Sequence, residues 1–179
     1  MPEPVQPRAR LAEALARRRV PLGFAAAVAA LVFAQPTWPS WRAGLAIALA
    51  GEAIRVWAAG HLEKGREVTR SGPYRWAQHP LYLGSTVIAL GVVVASRSVA
   101  VAAVTTIYMI ATLTAAVRSE EAFLQREFGD TYDRYRRSAA EPSARRFSIA
   151  RARRNREYRA LLGVFGGFAF LALKIALNL

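Results

Sequence analysis

Cysteine is absent from this 179-residue chain, which excludes disulfide bonds and thiolate metal sites within it. Histidine occurs only at His61 and His79, and two imidazoles are too few for a histidine-rich metal centre. Acidic residues are scarce, because 12 Asp and Glu stand against 25 Lys and Arg and leave a formal net charge of +13. Apolar residues, in contrast, make up 54% of the chain, and their arrangement indicates the class of protein.

The apolar residues fall into five segments, near residues 20–34, 43–60, 81–95, 99–117 and 160–177. Charged stretches separate them, a segregation typical of a multispanning membrane protein. Helix is the expected state, because an open sheet cannot satisfy its backbone in lipid. We predict an all-α polytopic membrane bundle of about five transmembrane helices, forming one domain over the whole chain. A signal peptide ending near residue 34 is the alternative interpretation of the first segment.

The positive charges alternate with these segments. Three blocks, residues 1–19, 61–80 and 118–159, hold 21 of the 25 basic residues, whereas 35–42 and 96–98 hold one arginine each. The positive-inside rule predicts this pattern for an odd number of spans with a cytoplasmic N-terminus. A nucleic-acid binder has no reason to alternate its charge in this way. The basic face suits anionic lipids instead, and we predict no nucleic-acid partner.

A short connection joins the third and fourth segments. Only Ser96, Arg97 and Ser98 separate them, which predicts a tight antiparallel helical hairpin. Its two outer ends would then lie side by side. The hairpin would therefore bring residues 74–84 toward residues 118–121, although some forty positions separate them in the sequence.

The stretch before the third segment is rich in polar aromatic residues. Pro80 suits the first turn of a helix, where no backbone donor is lost. His79 precedes it, with Tyr74 and Tyr82 on either side. An N-cap role for His79 is the structural interpretation, and a ligand site is the functional one. The free N–H groups of a helix N-terminus suit a bound carboxylate.

Two charged residues lie inside the second apolar segment. Glu52 and Arg55 are three positions apart and share a helix face. They form either a neutralised pair that orders the bundle or a site in which Arg55 faces a polar cavity. In the last segment, Gly163 and Gly167 form a small-xxx-small pair, which predicts close helix packing, with a dimer contact as the alternative.

An acidic pair follows the fourth segment. Carboxylates at a helix C-terminus are unfavourable for the helix dipole, so Glu120 and Glu121 need an explanation there. They are either solvated among arginines or recognise a cationic or hydroxyl-bearing group, such as an amine or a ribose. Tyr132 and Tyr135 share a face further on, and either pack against the bilayer or close over a ligand.

Together these motifs resemble the isoprenylcysteine carboxyl methyltransferase family, a relative of the membrane phospholipid methyltransferases. The likeness extends roughly over residues 45–140. The family pattern G-x-Y-x-x-x-R-H-P-x-Y-x-G is matched at Gly72, Tyr74, His79, Pro80, Tyr82 and Gly84. The pattern E-E-x-x-L-x-x-x-F-G-x-x-Y-x-x-Y is matched at Glu120, Glu121, Leu124, Phe128, Gly129, Tyr132 and Tyr135.

The resemblance implies a methyltransferase of the bacterial-type inner membrane that uses S-adenosylmethionine and whose site faces the cytoplasm. It implies a lipophilic small-molecule acceptor that enters from the membrane. Oligomeric state stays open between monomer and dimer, and no metal site is expected. The residues implied to contact the cofactor are Arg66, Glu67, Val68, Thr69, Tyr74, His79, Pro80, Leu81, Tyr82 and Glu120.

The chain departs from the family at two positions. Gln78 stands where the family has Arg, and Ala116 stands where eukaryotic members have the Arg that holds the acceptor carboxylate. Arg118 is near, but two residues turn it about 200° around a helix. We take Arg118 and Glu121 as candidate catalytic residues, and Arg55 and Arg118 as candidate substrate-binding residues.

Three functions stay open on this sequence. Methylation of a carboxylate, as in an isoprenylcysteine-like acceptor, needs no general base and relies on positioning. Methylation of a phospholipid amine needs a base, for which Glu121 or His79 is the candidate. A non-catalytic scaffold would use the basic face to bind anionic lipid.

Overall fold

The computed structural model describes residues 23, 27–138, 141 and 143–179. The basic segment 1–19 and most of the first half of the first apolar segment lie outside the described residues, so the N-terminal span and its orientation stay predictions. In the described residues every regular element is helical, which confirms the predicted all-α class. After helical residues 27–33, the elements are α1 (Trp38–Ala59), a 3-10 helix (Gly72–Arg75), α2 (Pro80–Ser96), α3 (Val99–Arg136), α4 (Ile149–Arg154) and α5 (Tyr158–Ala176).

Among the described residues, two helices, α3 and α5, are long and apolar enough to cross a membrane, and α2 is a shorter apolar helix. Only 6% and 17% of the apolar windows of α3 and α5 are buried inside the protein. Most of their apolar side chains therefore face outward, as expected of helices in lipid and not of the core helices of a soluble domain. The count of five spans stays a prediction.

Helices α1 and α2 pack backbone to backbone. A Cβ built on Gly51 would lie 2.7 Å from the carbonyl oxygen of Gly84, so neither position has room for a side chain. Small residues allow this close approach between membrane helices. The contact holds Arg55, one turn beyond Gly51, against the first turns of α2, where its guanidinium bonds to Ser85 and the carbonyl of Leu81.

The hairpin between α2 and α3 is as tight as predicted. Arg97 adopts the left-handed conformation, with φ 49°, and Ser98 caps α3 by accepting a hydrogen bond from the N–H of Val101. Helix α3 continues far beyond the apolar residues, to Arg136, and breaks only at Gly129, where φ is 41°. The prediction that the acidic pair lies at a helix end was therefore wrong, because the strong helix formers that follow it extend the helix.

Helix α5 packs on α1 through one face only. Val164, Phe168 and Leu171 are buried, and the indole N–H of Trp41 donates to the carbonyl of Phe168 at 2.8 Å. In the part of the chain that is described, no atom beyond the adjoining residues and backbone of α5 itself lies within 4 Å of a Cβ built on Gly163 or Gly167. Close helix packing at these glycines was therefore the wrong prediction for the described residues.

Candidate active site

A cavity of about 650 Å³ lies where the loop after α1, the start of α2 and the middle of α3 meet. It joins the two motif stretches that forty residues separate, as the hairpin predicted. Its principal lining residues are Leu62, Glu63, Lys64, Glu67, Val68, Thr69, Tyr74, Gln78, His79, Pro80, Leu81, Tyr82, Thr112, Ala116, Ser119, Glu120, Phe123, Leu124, Arg126 and Tyr135.

His79 is the centre of the polar wall. Its Nε2 lies 3.3 Å from Oε1 of Glu121, and its Nδ1 lies 3.6 Å from Oε2 of Glu120. The ring stacks on Tyr82, with 5.7 Å between ring centroids. His79 occupies the N-cap position of α2, but its side chain makes no capping hydrogen bond. The imidazole therefore lines the cavity and does not cap the helix.

The charges of this cluster support one another. Glu120 is the largest cause of a raised pKa of His79; burial acts in the opposite direction, and Glu121 adds to the increase. For Glu120, burial raises the pKa, but contacts with His79 and the hydroxyl of Tyr82 outweigh it, so the net pKa falls below its ordinary value. Both directions favour an imidazolium beside a carboxylate.

Tyr135 reaches the cavity because α3 breaks at Gly129. The last turns of the helix change direction there, and the hydroxyl of Tyr135 donates to the carbonyl oxygen of Tyr74 at 2.9 Å. Burial raises the pKa of Tyr135 to about 12, and it also raises the pKa of Tyr74. Both phenols are therefore neutral hydrogen-bonding groups. Tyr135 lines the cavity, whereas Tyr132 is buried and is not among the lining residues, and closing over a ligand stays a prediction.

Arg55 pairs with a residue that the sequence did not indicate. Its Nε donates to Oε1 of Glu157 at 2.6 Å, whereas Oε2 of Glu52 is 3.9 Å away. Glu157 is 102 positions distant and only 6% exposed. Its one sequence signal is that it is an acidic residue in a run of arginines just before the last apolar segment. The carboxylate oxygens of Glu52 have no hydrogen-bond partner among the described residues.

A second, apolar groove of about 380 Å³ lies between α1, α2 and α5. Arg55 lines both this groove and the larger cavity, so one guanidinium stands where the two meet. Gly163 and Gly167 form part of the α5 wall, and the absence of side chains there leaves the space open. Its other lining residues are Leu31, Ser85, Ile88, Val92, Ala160, Val164, Phe168 and Leu171.

Most of the predicted site residues line the larger cavity, but three do not. Arg66 and Arg118 are exposed and are not among its lining residues, and Glu121 reaches it only through His79. Arg118 fails for the reason anticipated, since Ala116 and Glu120 occupy the inner face of α3 and residue 118 points away. Glu63, Lys64, Thr112, Ser119 and Phe123 were missed, because no motif marks them.

The chain belongs to the phospholipid methyltransferase family, whose model matches residues 25–131, more than half of the chain. This membership, with the apolar helices, indicates an integral membrane protein of a methyltransferase family. The chain is also similar to the nickel-cobalt-cadmium resistance protein NccN of Alcaligenes xylosoxydans xylosoxydans, at 32% identity over 88 residues. The matched stretch is 48% of this chain and 41% of NccN. No solved structure matches.

The two histidines are expected to titrate on opposite sides of the ordinary pKa of 6.5. Burial lowers the pKa of His61, with Arg151 and Arg145 adding to the effect, whereas the carboxylates raise that of His79. An NMR titration of the imidazole resonances, assigned with His79→Gln, measures both. Glu120→Gln should bring His79 back toward 6.5 and leave His61 unchanged; coincident titration of the two rings would contradict the geometry.

The directions of the two pKa shifts determine how the stability of the folded state changes with pH. Because the folded pKa of His79 is raised, its stabilising contribution is present below 6.5 and is lost as the pH rises through the folded value. His61 has the opposite sign, since its pKa is lowered, and the folded state loses stability as the pH falls from 6.5 through the folded value.

Proposed function

We propose that this chain is an S-adenosylmethionine-dependent methyltransferase that acts on a lipophilic acceptor, with a carboxylate of an isoprenylcysteine-like compound as the preferred class. The observation that carries the proposal is the meeting of a polar cavity and an apolar groove at Arg55. A transferase for a lipid needs such a junction, because the cofactor is a polar nucleotide and the acceptor is apolar.

The residues of the larger cavity fit the cofactor. The Nδ1 of His79 is buried and lies 3.6 Å from Oε2 of Glu120, too far for a hydrogen bond, so the cavity holds a polar atom that a ligand could satisfy. The Glu120 carboxylate suits ribose hydroxyls or an amino group, and Tyr74, Tyr82 and Tyr135 supply aromatic walls. Glu67, Val68, Thr69, Pro80 and Leu81 complete the proposed set of contacts.

When bound, S-adenosylmethionine supplies a methyl group on a positively charged sulfur. The protein's task is then to hold the acceptor in line with that methyl and to exclude water. Arg55 suits an acceptor carboxylate, because its Nε bonds Glu157 and its Nη1 bonds Ser85, while Nη2 makes no hydrogen bond to the described residues. A carboxylate is already a nucleophile at neutral pH, so no base is required.

Methylation of a phospholipid amine is the second candidate. The observation that favours it is the contact of His79 with two carboxylates. An ammonium group must lose a proton before it is methylated, and His79 or Glu121 is the candidate base that receives it. The family's description points the same way. In this case Glu121 acts through its hydrogen bond with His79.

Transfer of a radiolabelled methyl group to extracted membrane lipids, followed by base hydrolysis, separates these functions. Esters release volatile methanol, and methylated amines do not. We expect volatile label; label that stays with the lipid would establish the amine function. If S-adenosylhomocysteine fails to bind the purified protein in calorimetry, both enzyme functions fail and a scaffold that binds anionic lipid through its basic face remains.

A further inference from the structure

We propose that residues 143–157, which we call the arginine clamp, position the loop 62–69 of the larger cavity and so set the affinity for the nucleotide cofactor. The inference rests on the proposed function. The clamp lies beyond residues 25–131, which match the family, so the family resemblance says nothing of it. It is carried by contacts that cross about 80 to 100 positions of sequence.

Three ion pairs attach the clamp to two glutamates of the loop. Arg151 Nε lies 2.7 Å from Oε1 of Glu63, and Arg154 reaches the same oxygen at 3.3 Å. Arg145 bonds Glu67 with both prongs of its guanidinium, at 2.6 and 2.7 Å. Paired hydrogen bonds between Arg and a carboxylate fix orientation as well as distance.

Both glutamates line the cavity, so their orientation is part of the site. The Arg151–Glu63 pair is mostly shielded from solvent, with side-chain exposures of 15% and 19%, and salt screens it less than a surface pair. Held in this way, the two carboxylates are neutralised by arginines in the cavity wall.

Backbone bonds complete the attachment at the end of α1. The last carbonyl groups of a helix have no partner within the helix and need one elsewhere. Asn155 donates from Nδ2 to the carbonyls of Ala59 and Leu62 at 2.8 and 2.9 Å, and Arg151 and the N–H of Ser148 both donate to the carbonyl of Gly60. The clamp thus supplies hydrogen-bond donors for carbonyl groups at the end of α1 and the start of the loop.

The loop has internal hydrogen bonds, from the N–H of Glu63 to Oγ1 of Thr69 and from the N–H of Arg66 to the carbonyl of Glu63, but its tip is open to solvent. Lys64, Gly65 and Arg66 are exposed, and Gly65 adopts the left-handed conformation with φ 71°. Val68 and Thr69 follow directly and line the cavity beside Glu67. Loss of a clamp arginine would release a glutamate charge into the cavity wall and shift these neighbours. His79 at the start of α2 and Glu120 in the middle of α3 would keep their positions.

The test compares the full-length variants Arg151→Gln and Arg145→Gln with Arg153→Gln. Arg153 is exposed on the same helix as Arg151, so its replacement removes the same charge without removing either loop contact. We expect the Kd of S-adenosylhomocysteine and the KM of S-adenosylmethionine to rise roughly 10-fold in the first two variants, with kcat unchanged at saturating cofactor. Arg153→Gln should match the wild type.

Hydrogen exchange of the loop, measured by mass spectrometry without cofactor, separates this inference from the proposed function. Faster exchange of residues 60–70 in Arg151→Gln than in Arg153→Gln is expected. Equal exchange, or equal cofactor affinity in the three variants, would overturn the clamp. A wild-type protein that binds no S-adenosylhomocysteine would overturn the proposed function, whatever the loop does. A matching fall in kcat and stability in Arg151→Gln would show a general scaffold role and would also overturn the clamp.

Discussion

Glu120→Gln is expected to weaken S-adenosylhomocysteine binding about 100-fold, because charged hydrogen bonds are worth roughly 1.5–3 kcal/mol each and the substitution removes the charge. The carboxylate lines the cavity at 38% side-chain exposure, so it is accessible to a ligand and partly shielded from water. Contacts with His79 and Tyr82 lower its pKa and keep it ionised, which suits it to accept hydrogen bonds from ribose or an amino group. Glutamine keeps the shape of the side chain but loses the negative charge and one of the two acceptor oxygens.

Calorimetric titration of purified protein measures this change. Glu127→Gln is the matched control, since Glu127 is an exposed residue of the same helix and its replacement changes the net charge equally. The control should bind as the wild type does. Equal affinity in Glu120→Gln and Glu127→Gln would remove the carboxylate from the cofactor site. Unchanged thermal unfolding would show that a loss of binding is local.

Filling the apolar groove is the second change with a large expected effect. Gly163→Leu and Gly167→Leu each place a side chain in a groove of about 380 Å³. Lipid is as apolar as the groove, so the acceptor's tail gains little from transfer, and steric fit decides whether it binds. Overpacking costs about 1–3 kcal/mol, which corresponds to roughly a 5- to 150-fold loss of kcat/KM for a long-chain acceptor.

The chain supplies its own control for this substitution. Gly166 lies on the same helix, is exposed and does not line the groove, so Gly166→Leu should leave turnover unchanged. A short-chain acceptor should be methylated equally by all the variants, and S-adenosylhomocysteine should bind them alike. If Gly163→Leu and Gly166→Leu gave the same kcat/KM for the long-chain acceptor, the groove would not be the acceptor site.

The central contact of the site followed from one local feature of the sequence. A three-residue connection between two apolar segments allows only an antiparallel hairpin, and the hairpin brings His79 to Glu120 whatever the remaining helices do. The start of α2 at its proline and the positions of the apolar segments between charged stretches were also predicted from nearby residues alone. Such features can be predicted from sequence because their physical causes act over a few positions.

The length of α3, and whether a helix packs against the glycines of α5, could not be predicted in this way. The end of an apolar run predicts where a helix leaves lipid, but this helix continues to Arg136 and is interrupted only at Gly129. A pair of glycines predicts that helices could approach closely, but whether another helix is present depends on how the bundle packs. At Gly163 and Gly167, among the described residues, none is.

By itself the sequence determined the helical class, the hairpin and the meeting of its two motifs, because apolar segments, turn length and helix starts are local properties. Only the tertiary structure decided which ions pair. Glu157 is the closer carboxylate to Arg55, at 2.6 Å against 3.9 Å for Glu52, and Arg145 and Arg151 pair with Glu67 and Glu63. In a chain with 25 basic and 12 acidic residues many pairings are electrostatically equivalent, and the packing of the helices selects among them.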